Sequence, residues 1–244
     1  MELHSAEQRH GTQGQSHSLQ DYLGEFVYGG IDGSITTFAV VAGASGAELS
    51  PAVIIILGFA NLFADGLSMS IGSYLSHQSE KDNYEKHRKV EYWEVDNMPH
   101  EERAEIQDIY RGMGFEDALL EQVTDKITEN RDRWVDVMMK EELGMMEEPR
   151  SSLAIGGATF LSFIVVGLVP LLIYVYDYAS GTVSPRAFLI ASVLTSLAFV
   201  VIGWLKATVT QTSRARAVLE TLMLGGTAAA LAYWVGDVLE KIVS

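Results

Sequence analysis

The sequence predicts an all-α, polytopic membrane protein with five transmembrane helices and a cytoplasmic three-helix insert. Three observations carry this. Apolar and charged residues are segregated into blocks instead of interleaved, since 22–77 and 152–239 are strongly apolar and 78–151 strongly charged. Five apolar segments each supply the ~20 residues that cross a hydrocarbon layer of ~30 Å. Lys and Arg fall on one side of the resulting topology. The composition alone, at 48% hydrophobic over 244 residues, would suit an ordinary soluble domain; the segregation decides otherwise.

The chain divides at the composition shifts into a polar tail over 1–21, helices over 22–77, an acidic domain over 78–151 and further helices over 152–244. The tail has neither the basic nor the apolar region of a secretory signal. Its His4, His10 and His17 are spaced too widely for a local chelate and suit a disordered tail. The first span is read over 22–44 and the second over 51–75, joined by the short SGAELS, which suits antiparallel neighbours. The third, fourth and fifth are read over 153–176, 186–207 and 217–239.

With five spans, the N-terminus, the insert and the fourth–fifth connection share a side. They carry Arg9, eleven basic residues from Lys81 to Arg150, and Lys206, Arg214 and Arg216, against only Arg186 and Lys241 opposite. The asymmetry predicts a cytoplasmic N-terminus and insert. Small residues recur in GGIDGS, GGATF and GGTAAALA and allow close helix approach, within one chain or between two.

A chain without cysteine cannot form disulfides, thiolate metal sites or iron–sulfur clusters. A net charge of −15 argues against nucleic acid and suits cations. Within the spans, Asp32 stands mid-helix, where a carboxylate costs at least ~2.5–3.5 kcal/mol. Glu25 lies seven residues earlier on the same helical face, and Asn61, Asp65 and Met69 recur at i, i+4 and i+8 in the second span. Together these make a candidate cation pathway. The alternative is that the carboxylates only hydrogen-bond neighbouring helices and Met69 fills a gap.

The insert holds 21 of the 32 acidic residues. The second span should continue as a helix through Glu91 and Glu94. Asn97 and Pro99 mark a break, and a new helix presents Glu102 and Glu105. A third helix carries Met138, Met139 and Glu142. Paired carboxylates at i, i+3 on helices are one way to build a divalent metal site, and thioethers bias it toward softer transition metals. Acidic helices also carry ExxE simply as a solvated face, so spacing leaves both readings open.

The chain resembles the vacuolar iron transporter family over nearly all of 21–240, in DGSITTFAVVAGASGA, ADGLSMSIGSYLSHQSE, the ExxE…ExxE…MMKEE series and GWLKA. The resemblance implies a homodimeric, five-span, proton-coupled exporter of ferrous iron, with manganese, cobalt, nickel or zinc as related cargo and no organic cofactor. It assigns metal collection in the insert to Glu91, Glu94, Glu102, Glu105, Met138, Met139 and Glu142, and the pathway to Asp32 and Met69. Plant members carry glutamate where this chain has Asn61, with Asp65 here one turn further on. That departure suggests a bacterial-type member in the cytoplasmic membrane, with the vacuolar membrane as its eukaryotic counterpart. The rival readings are a membrane-anchored ferroxidase or iron-storage protein and a metal sensor without flux. Di-iron helices normally use ExxH, and none of His77, His87 and His100 follows a glutamate at that spacing.

Overall fold

The computed structural model describes residues 19–182 and 184–243. The expectations for the tail over 1–18, its histidines included, lie outside them. After a short 3₁₀ turn at Leu19–Tyr22 the elements are α1 (Leu23–Gly46), α2 (Pro51–Asn97), α3 (Pro99–Gly112), α4 (Asp117–Thr128), α5 (Arg131–Val137), α6 (Ser152–Gly167), α7 (Leu172–Ser180), α8 (Ala187–Thr210) and α9 (Arg214–Val243). They form two compact units: residues up to Tyr74 with those from Arg150 onward, and Leu75–Pro149.

In the first unit five helical stretches are long and apolar enough to cross a membrane: α1, the start of α2, α6 with α7, α8 and α9. Ser151 caps α6 by accepting from the Ala154 N–H at 3.4 Å. The third stretch is interrupted by a 3₁₀ turn at Val169–Leu171, because Pro170 cannot donate to the helical ladder. α1 is the hub, packing most extensively against α6 and α9 and also against α8.

Glycine makes that hub possible. A Cβ on Gly33 would sit 2.5 Å from the Phe163 carbonyl oxygen, and one on Gly167 would sit 2.8 Å from that of Gly33. At the α1–α9 crossing a Cβ on Gly236 would overlap the Gly43 carbonyl. Without a hydrophobic force between spans, such close approach is what holds them. Around it, Val41, Ile54, Leu62, Phe163, Leu171 and Tyr174 form a buried cluster.

In the second unit α2 runs on unbroken to Asn97, and α3 starts at Pro99 with Glu101 and Glu102 in its first turn, where acidic side chains oppose the helix dipole favourably. The three-helix expectation needs correction. Beyond the continuation of α2 and α3, the remaining stretch is two helices, α4 and α5, and α5 passes into a π turn over Met138–Glu142. The break comes at Asn130, whose side chain accepts from the Arg133 N–H at 2.9 Å and so starts a new helix. The unit's own core is Val95, Ile106, Ile127, Trp134, Val135, Met138 and Met139.

Candidate functional site

The predicted residues divide between the two units. In the insert, Glu91 on α2 and Glu102 on α3 are each only 4% exposed. The Oε2 of each is buried without a hydrogen-bond partner. Burial pushes both carboxyls up to about 7, reinforced by the surrounding negative charge: Glu142, Glu94 and Glu105 act on Glu91, and Glu105, Glu91, Glu94 and Glu142 on Glu102. Glu142 is also raised, by burial and then by Glu105 and Glu94. Five carboxylates from α2, α3 and the π turn therefore share one field. They stand apart: among the described residues, no three His, Asp or Glu side chains are close enough to hold a metal ion as they are.

The two methionines sit inside the core of this unit. Met138 and Met139 are 0% and 1% exposed. Two consecutive residues of an ordinary helix are turned about 100° apart. The wider π turn, closed by the Leu143 N–H donating to the Met138 carbonyl at 3.2 Å, is where both are buried while Lys140 stays exposed. Single π turns inside α-helices often mark functional positions.

Long-range pairs hold the arms of the cluster together, and these were not foreseen. Arg131 at the start of α5 donates Nε to Asp96 of α2 at 2.7 Å and lies 4.3 Å over the Tyr92 ring, whose hydroxyl donates to Asp132 at 2.9 Å. Arg103 of α3 donates to Glu121 and Asp125 of α4 at 2.8 and 2.7 Å. A charged or polar residue's partner 18 to 40 positions away has no local signature.

In the membrane unit, Asp32 of α1 and Asp65 of α2 are both exposed in the single chain and close enough to interact electrostatically. Asn61 is half-buried and donates weakly to Thr36 at 3.5 Å. Met69 is half-buried against the apolar cluster. Glu25 is set apart from them: its Oε1 accepts from Arg150 at 2.8 Å.

These features define a polytopic α-helical membrane protein with carboxylates exposed on its spanning helices and two buried glutamates in its second unit. The model of the VIT family matches residues 23–237, and the chain belongs to that family. It is 34% identical over 238 residues to the vacuolar iron transporter of Toxoplasma gondii, covering 95% of this chain and 78% of that one. It is 32% identical over 241 residues to the vacuolar iron transporter of Plasmodium falciparum, with coverages of 95% and 87%. It is also 32% identical over 241 residues to vacuolar iron transporter 1 of Tulipa gesneriana, with coverages of 98% and 94%.

Proposed function

We propose that this protein exchanges protons for ferrous iron, and for manganese and related divalent transition metals, moving the metal out of the cytosol. The observation that carries the reading is the pair Glu91 and Glu102: buried carboxylates, each with an unpartnered oxygen, amid three more carboxylates. Such a cluster repels itself, and a divalent cation relieves the repulsion while supplying the missing partners. Met138 and Met139 add soft donors that favour a transition metal over magnesium or calcium. The relatives' names point to iron as cargo.

Asp32, with Asp65, Asn61 and Met69, forms the route through the membrane in this reading. Exposed carboxylates on apolar helices are costly against lipid, and a second copy packed on the α1–α2 face would enclose them between protomers. A proton taken up by Asp32 as metal leaves would complete the exchange. The one-sided Lys and Arg distribution supports an insert facing the cytosol, in the cytoplasmic membrane of a bacterium or, in a eukaryote, the vacuolar membrane.

Reconstitution in liposomes tests this. Ferrous iron on one side should drive proton movement from the other, and Asp32→Ala should abolish it. Oxygen consumption with ferrous iron and no metal flux would overturn the reading in favour of an enzyme.

A further inference from the structure

Arg150 is the first residue of the membrane unit after the insert. Its Nη1 donates to Glu25 Oε1 at 2.8 Å and to the Asp21 carbonyl at 3.1 Å. The Ser151 N–H donates to the Tyr22 hydroxyl at 3.4 Å, so two successive residues tie the start of α6 to the entry of α1. The Arg150 and Glu25 side chains are 29% and 19% exposed. Glu25 Oε2 is buried with no hydrogen-bond partner. Glu25 stands two helical turns before Asp32, about 10 Å along the axis. Among the described residues, the ion pairs of Lys206 and Arg216 with Glu220 and of Lys241 with Asp237 involve none of the route residues.

We infer that Arg150 is a tethered counter-cation at the mouth of the route, holding Glu25 until a divalent ion displaces it and so setting the affinity of the entrance. The inference rests on the proposed route. A guanidinium offers a single positive charge, and here its Nη1 engages one of the two Glu25 oxygens. A divalent ion brings twice the charge and can bind first through the oxygen that Arg150 leaves unused. A monovalent ion gains no electrostatic advantage over the arginine already present. Arg150 thus screens what enters by charge, acting through Glu25 as a positioning residue.

The test is ferrous iron flux into liposomes by wild type, Arg150→Gln, Arg150→Lys, Glu25→Gln and the Arg150→Gln/Glu25→Gln double variant. Arg150→Gln should lower KM by about three- to tenfold, the size of one lost competing ion pair, with kcat changed less than twofold. Arg150→Lys should fall between that variant and wild type, and Arg150→Gln should leave KM unmoved when Glu25 is already Gln. A purely structural tie would change yield and thermal midpoint without this pattern. Unchanged KM in Arg150→Gln, or an equal shift in both backgrounds, overturns the inference; if Arg150→Gln does not fold, a KM for Arg150→Lys equal to wild type does so. Absence of flux in the wild type would sink the route itself, which separates the two failures.

Discussion

A carboxylate that is 4% exposed with one oxygen unpartnered, as in Glu91 and Glu102, is costly to ionise, and its cost appears as proton affinity. With both groups raised from the ordinary glutamate value to about 7, this pair is protonated below neutrality and charged above it. Metal and proton then compete for the same oxygens. Calorimetric titration of the detergent-solubilised protein with ferrous iron or manganese should show affinity falling steeply from pH 8 to pH 6. Glu91→Gln with Glu102→Gln should both weaken binding and flatten that dependence. The sign for stability runs the other way. A carboxyl whose folded value is raised contributes stability that is complete below its unfolded value of 4.5 and is lost as pH rises through about 7. Without metal, the thermal midpoint should therefore fall between pH 5 and pH 8, less so in the double Gln variant. Glu91, Glu94, Glu102 and Glu105 stand out in the sequence as ExxE pairs and Glu142 in MMKEE, and spacing alone gave them no role. Which two are buried was not legible, because i, i+3 pairs look the same whether the helix face meets water or another helix.

At the scale of elements, the start of α3 was readable from Asn97 and Pro99. Ser151 caps α6. The split between α4 and α5 follows from Asn130 as a cap, a signal that the continuing amphipathic pattern of the stretch obscures. The π turn at Met138–Glu142 has no such mark, since MMKEE reads as ordinary helix. The crossings of α1 depend on close backbone approach, and they give a sharp expectation. Gly33→Val should push α1 away from α6 against the Phe163 carbonyl, costing about 1–3 kcal/mol as overpacking does and lowering the thermal midpoint in detergent. Gly157→Ala, with open space around its Cβ position and a better helix former in place of glycine, should not lower the midpoint and serves as the control.

For the whole molecule, the exposed pair Asp32 and Asp65 bears on assembly. Two carboxylates on apolar helices require a polar or protein cover, so the protein in mild detergent should have the mass of two chains. A cysteine introduced at Asp65 in this cysteine-free sequence should cross-link to its counterpart, and a monomer without cross-links would refute the enclosed route. The sequence by itself determined the membrane class, the number of spans, the acidic insert and the residue types available to a metal. These depend on composition and local period, which act through nearest neighbours. Only the tertiary structure decided which glutamates lose water, which methionines join the core, and that Glu25 is held by Arg150, 125 residues away. Burial and ion pairing are set by elements far apart in the chain, and no local pattern carries them.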